Sequence, residues 1–199
     1  MMKGTLIQHT WLYALLLLFT TTASAQARID SFDIHMLQNI ADTRTTGQTK
    51  FFLLISNTND YMNVAIPAGL LIGGILDHNP DMRQNALYVA TSTATTTLLN
   101  TALKLIFKRP RPFKLHVNFT PVYTPGGYSF PSGHTSSAFS SATALARAYP
   151  KWYVIAPAML WAGTVGYSRM YLGVHNPSDV TAGALLGAGT AFGLGFIRP

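Results

Sequence analysis

Apolar positions along this chain fall in blocks rather than in alternation. After a short leader, residues 28–48 place Ile29, Phe32, Ile34, Leu37 and Ile40 at helical spacing, which predicts an amphipathic packing or interfacial helix. Segments 61–77, 84–107, 134–149, 152–168 and 178–197 are long, apolar and rich in Ala, Gly, Ser and Thr, as in the polar tract Thr91–Thr97. Small and hydroxyl residues at that density let helices approach closely inside a membrane bundle. Residues 115–133 hold Pro, Gly and aromatics together and read as one loop, in which Phe119, Tyr123 and Tyr128 are candidates for a lipid entrance or for interface anchors. Sustained period-two alternation is absent, so strands are not expected. The predicted fold is all-α: a membrane-embedded helical bundle with about five spans after the leader, set against a soluble all-α bundle with tight Ala/Gly interfaces.

The leader is its own signal. Lys3 precedes the apolar run Trp11–Phe19, and Ala23-Ser24-Ala25 supplies a small-residue cleavage site before Gln26. Nine strongly apolar residues are few for a span of about 20, which favours a cleaved signal peptide over a retained first helix. Either way the following chain is delivered out of the cytoplasm. The expected organisation is residues 1–25 as signal, 26–58 as a periplasmic or interfacial segment, and 59–199 as the bundle domain. The expected location is a bacterial inner membrane with the active face toward the periplasm, the alternative being a soluble periplasmic protein.

Composition sharpens this picture. Charged residues make up 11% of the 199, against roughly 25% in ordinary globular proteins. All seven acids are Asp. So little charge cannot solvate a full surface, which fits partial burial in lipid. The absence of cysteine excludes disulfides, thiolate metal sites and a cysteine nucleophile. A net charge of +7 raises the question of nucleic acid, yet five of the fourteen basic residues lie within positions 104–114, directly after an apolar segment. That distribution suits a local anion site or a juxtamembrane patch, and no nucleic-acid partner is expected.

Three polar clusters sit at ends of apolar segments. Lys104 and Arg111 flank a helix end stopped by Pro110 and Pro112. Pro131-Ser132-Gly133-His134 opens the next segment, where Ser132 can cap, Gly133 permits close backbone approach, and free N–H groups favour an anion. Ser168-Arg169 leads to His175 and Asp179, four residues apart across a junction where Pro177 starts a helix. A carboxylate there can hold one imidazole nitrogen and leave the other's lone pair free, as nucleophilic catalysis requires. Each cluster alone has an ordinary structural explanation: a dipole partner, a capped turn, a buried pair. Together, in a charge-poor chain whose helices alternate direction, they fall on one side, and charge at membrane depth marks a functional site. Lys108, Arg109 and Lys114 read as a plain basic membrane-proximal patch.

The three clusters, Lys104-x6-Arg111-Pro112, Pro131-Ser132-Gly133-His134 and Ser168-Arg169-x5-His175-x3-Asp179, resemble the signature of the type 2 phosphatidic acid phosphatase and vanadium haloperoxidase superfamily. The resemblance implies a hydrolase acting on a lipid phosphate or diphosphate through a phosphohistidine. It makes His175 the nucleophile, Asp179 its orienting partner and His134 the acid and base. Lys104, Arg111, Ser132, Gly133 and Arg169 become the phosphate cradle. It also implies no metal and no cofactor, with vanadate occupying the phosphate site as an inhibitor. The implied partners are a membrane lipid phosphate and the bilayer, with oligomeric state left open. The alternatives are a secreted soluble acid phosphatase or a haloperoxidase of the same superfamily, and a non-catalytic membrane scaffold.

Overall fold

The computed structural model describes residues 28–199, and the leader lies outside the described residues. Helix α1 runs over 28–42, α2 over Thr46–Leu76, α3 over Pro80–Phe107, α4 over Pro112–Leu115, α5 over Gly133–Ala148, α6 over Trp152–Tyr171 and α7 over Pro177–Gly193, before a 3₁₀ turn at Gly195–Ile197. Among the described residues there are no strands.

Two boundaries depart from the sequence pattern. The predicted helix over 28–48 breaks at 43–45, where Thr45 caps α2 by accepting from the Gln48 N–H. Helix α2 also begins fifteen residues before the apolar segment at 61. Its first half carries Ser56 and Asn59, which are buried against the bundle, so polarity marks an inward face there. Helix α3 is started by Asn79, whose side chain accepts from the Met82 N–H, with Pro80 following, and it stops at left-handed Lys108 before the two prolines.

Helix α5 is the hub and packs on α7, α6 and α3. Its interior face is Ser136, Ser137, Ser140, Ser141 and Thr143 among alanines, all buried. Hydroxyls there pair between helices, Thr93 with Ser141 at 2.8 Å and Thr96 with Ser140 at 2.9 Å. The α5–α7 crossing is close because Gly183 and Gly187 stand one turn apart: a Cβ on Gly187 would meet the Ser136 carbonyl at 2.1 Å, and one on Gly183 the Ser132 carbonyl at 2.8 Å. This contact fixes the start of α5 beside the start of α7, and the Ser132 N–H donates to the Asp179 carbonyl at 3.0 Å.

The outside is the reverse of the inside. Leu54, Val64, Ile72, Leu76, Leu98, Ile106, Leu160 and Leu185 are all exposed. By length and composition, one described stretch, Pro177–Ile197, is apolar enough to cross a membrane. Phe119, a candidate for the lipid entrance, is instead buried, and Arg44 lies over its ring.

Candidate active site

The end of the bundle where α3 stops and α5 and α7 begin gathers all three sequence clusters. His175 sits in the turn between α6 and α7 and is 2% exposed. Its Nδ1 faces Asp179 Oδ2 at 3.7 Å, beyond direct hydrogen-bond length. Ser129 closes that gap: its hydroxyl donates to Asp179 Oδ2 at 2.5 Å and lies 3.4 Å from His175 Nδ1. The other ring nitrogen, Nε2, faces the Arg111 guanidinium at 3.3 Å. Burial pushes the His175 imidazole down to about 3, the Arg169 and Arg111 charges push the same way, and the Asp179 contact only partly opposes them. The ring is therefore neutral near pH 7.

Asp179 is fully buried and held from several directions. Its Oδ2 also accepts the Asn176 N–H at 2.8 Å, the arrangement of a helix-starting capping pair. Its Oδ1 accepts Arg109 Nη1 at 2.7 Å. The other Arg109 nitrogen, Nη2, reaches Asp33 and Asp30 of α1, each at 2.9 Å. Burial opposes the Arg109 charge, but Asp179 and Asp33 outweigh it and the guanidinium titrates above its ordinary value. Asp33 further accepts the Ser178 N–H at 3.0 Å and its hydroxyl. Arg109 is thus an ion-pair hub, and its assignment to a plain basic patch is corrected: a three-carboxylate cradle draws the side chain inward. Lys108 and Lys114 stay exposed.

The cations ring this pair. Arg111 is buried, donating to Gly126 O at 2.9 Å and Val174 O at 2.8 Å. Lys104 reaches over the loop to Tyr128 O at 2.8 Å. Arg169 is buried, donates to Ser56 Oγ, lies 5.8 Å from the Tyr123 ring centroid, and keeps its Nε without a protein partner. An unpaired buried N–H on a cation is costly unless an anion arrives. Ser132 is the residue before α5, but its hydroxyl makes no capping bond and accepts from Thr135 at 2.8 Å instead. A Cβ on Gly133 would meet only Asn100 Oδ1, at 3.5 Å, so the approach to the α5 N-terminus is open. His134 follows it and lines a cavity of about 310 Å³ between α2, α3 and α5. Among the described residues, no group of three or more His or Asp is arranged to hold a metal ion.

Ser129 and Arg109 are the participants that sequence reasoning missed. Ser129 lies three residues before Ser132 in a loop with no periodicity, and nothing in the sequence distinguishes it from its neighbours. Arg109 had a signal, since Asp30 and Asp33 are two of only seven acids, but their pairing spans more than seventy residues.

Among the described residues, an all-helical bundle sets a buried His–Asp pair among three cations and two helix N-termini at one end, an arrangement with the charge to receive an oxyanion. Its kinship is definite: a profile of the PAP2 superfamily matches residues 85–196, and the chain belongs to that family. The fold is similar to a transmembrane PAP2-type phosphatidylglycerolphosphate phosphatase from Bacillus subtilis, with TM-score 0.71 and 28% identity over 92% of this chain and 94% of that one. It is also similar to Aquifex aeolicus LpxE, with TM-score 0.67 and 29% identity over 82% of this chain and 94% of that one. Among curated relatives, an undecaprenyl-diphosphatase of Sulfolobus acidocaldarius is 37% identical over 55% of this chain and 53% of its own length. A lipid A 4'-phosphatase of Bacteroides thetaiotaomicron is 42% identical over 31% of this chain and 28% of its own. The chain thus spans about half or less of the length of these curated relatives.

Proposed function

We propose that this protein is a membrane phosphatase that hydrolyses a lipid phosphate or diphosphate through a phosphohistidine on His175, with its site toward the periplasm and without a metal. The observation that carries the reading is the neutral, buried His175, whose Nδ1 side is occupied by Asp179 and Ser129 while Nε2 faces the Arg111 guanidinium. The Nε2 lone pair forms the N–P bond as the bond from phosphorus to the leaving oxygen breaks. His134 gives that oxygen its proton, then takes one from water. The water oxygen bonds phosphorus, the N–P bond breaks, and its electron pair returns to Nε2. Asp179 stabilises the cationic ring of the intermediate. Lys104, Arg111 and Arg169, with Ser132 and the Gly133 N–H, hold the equatorial oxygens, where phosphoryl transfer concentrates charge.

The exposed leucines and isoleucines support a lipid surround, and so do a solved relative described as transmembrane and a curated relative named as a lipid A phosphatase. The bundle reads as about five spans, α2, α3, α5, α6 and α7. The organisation into a signal at 1–25, an interfacial segment at 26–58 and a bundle domain at 59–199 belongs to the same proposal, with α2 running unbroken across the last boundary.

The test is rapid quench of purified, detergent-solubilised protein with ³²P-labelled lipid phosphate. An acid-labile, alkali-stable phosphoprotein is expected, absent from His175→Ala and blocked by vanadate, with turnover retained in excess chelator. Turnover in the wild type with no such adduct, or undiminished turnover in His175→Ala, overturns the mechanism.

A further inference from the structure

The cavity beside His134 has a chemical polarity of its own. Asn59, Asp60 and Asn63 of α2 face Thr97, Asn100 and Thr101 of α3 across it. Most donors on these side chains are engaged within the protein, with Asn59 and Asn63 each using one of two amide N–H groups. Thr97 and Thr101 donate to the carbonyls of Thr93 and Thr97, both at 2.9 Å. Asn59 Nδ2 donates to Asp60 and Asn63 Nδ2 to Asn59 Oδ1, each at 3.2 Å. Asn100 Nδ2 donates to Ser136 Oγ at 2.8 Å and to Pro131 O at 3.3 Å. Unused capacity on the α2 and α3 walls is therefore weighted toward acceptors: the Asp60 carboxylate, the two threonine oxygens and Asn100 Oδ1. Against them stands one amide N–H on each of Asn59 and Asn63, while Gly133 and His134 close the α5 side. Asp60 is exposed, and its charge acts on both His134 and Arg169.

With His134 as the group that protonates the leaving oxygen, whatever departs lies against these walls. Once the Gly133 N–H and His134 are engaged by the reacting phosphoryl group, the remaining acceptor-rich walls and their carboxylate welcome hydroxyl donors and repel a second phosphate. Asn63, Thr93 and Thr97 also line an apolar groove of about 600 Å³ between α2 and α3, so a unit held in the chamber continues directly into apolar surroundings.

We infer that the chamber selects a lipid phosphomonoester whose leaving group carries a free hydroxyl beside the phosphorylated oxygen, and that it disfavours a lipid diphosphate. This rests on the phosphatase reading above and narrows it.

Two matched pairs test it on the full chain in mixed micelles at fixed mole fraction. Lysophosphatidate and its 2-deoxy analogue, a 3-acyloxypropyl phosphate, differ by one free hydroxyl, and farnesyl phosphate and farnesyl diphosphate differ by one phosphate. The expected kcat/KM favours lysophosphatidate and farnesyl phosphate by about tenfold or more, the scale of one charge-assisted hydrogen bond. Asp60→Asn should shrink both ratios severalfold and Asp60→Glu should restore them. Equal rates within either pair, a reversed preference, or ratios unmoved by Asp60→Asn overturn the inference while the phosphatase reading stands. No phosphate from any of the four, nor from p-nitrophenyl phosphate, overturns both.

Discussion

Asp179 is one carboxylate with four partners: Arg109, Ser129, Asn176 and, at longer range, His175. Of these, Arg109 alone ties it to α1, because the same guanidinium holds Asp30 and Asp33. A planar fork with two nitrogens engaging separate carboxylates cannot be copied by an ammonium. Arg109→Ala and Arg109→Lys should therefore both let Asp179 drift and lower kcat by about a hundredfold, the usual cost of roughly 1 Å of misplacement. KM should change little, since Arg109 is not among the phosphate ligands. Steady-state kinetics on p-nitrophenyl phosphate decides this, and an equal rise in KM with kcat intact would assign Arg109 to binding instead. His175 carries a second prediction. Its folded value of about 3 lies below its unfolded value near 6.5, so between those two pH values the unfolded chain binds the extra proton. Stability from this residue is present above pH 6.5 and is lost as pH falls toward 3. Relative to His175→Gln, which cannot titrate, the wild type should lose thermal stability as pH drops from 7 to 5. Parallel Tm profiles of the two proteins would refute it.

At the scale of helices, the site depends on how closely α7 can lie on α5. Gly187→Ala would drive a methyl into the Ser136 carbonyl and the Ser140 N–H, both backbone, so neither can swing aside. The expected loss is about 3 kcal/mol or more, seen as a lowered Tm in detergent together with lost activity, because the same crossing seats Ser132 against Asp179. Gly189→Ala is the control: nothing lies within 4 Å of its Cβ position, and a helical alanine there should be neutral or stabilising by up to about 1 kcal/mol. Much of this element layout was legible in the sequence, since apolar blocks and prolines each leave local marks. The start of α5 at Gly133 and of α7 at Pro177 follow from such marks. What was not legible came from contacts distant in sequence. The first half of α2 falls in the expected interfacial segment, and the contacts that tie it to the bundle, Ser56 with Arg169 and Asn59 with Ser137, join residues far apart in sequence. His175 and Asp179 were read as a direct pair from their spacing, but four residues across a turn leave 3.7 Å, and the bridging Ser129 comes from a loop that no periodicity describes.

For the molecule as a whole, the distribution of apolar side chains is inverted relative to a water-soluble bundle. Hydroxyls and alanines fill the centre, and leucines and isoleucines face out. At about 1.5 Å per residue, α2 and α3, of 31 and 28 residues, exceed 40 Å and are by length sufficient for a hydrocarbon core of roughly 30 Å. Helix α5, at 16 residues, reaches only about 24 Å, which is sufficient for a hub that α3, α6 and α7 screen from lipid. Consecutive long helices reverse direction, so the loop 116–132 and the turn at His175 lie at one end, and the turns at His78 and Lys151 at the other. If the site faces the periplasm, these two ends are separated by the membrane. The chain has no cysteine, so single cysteines report without background. Val117, 92% exposed in the loop, should as Val117→Cys react with a membrane-impermeant maleimide when only the periplasmic side is accessible. His78→Cys and Lys151→Cys, at exposed turns, should react only after the inner membrane is permeabilised. Labelling of all three from the periplasmic side would favour a soluble secreted protein, and labelling of the two turns but not Val117 would invert the topology and place the phosphatase site in the cytoplasm.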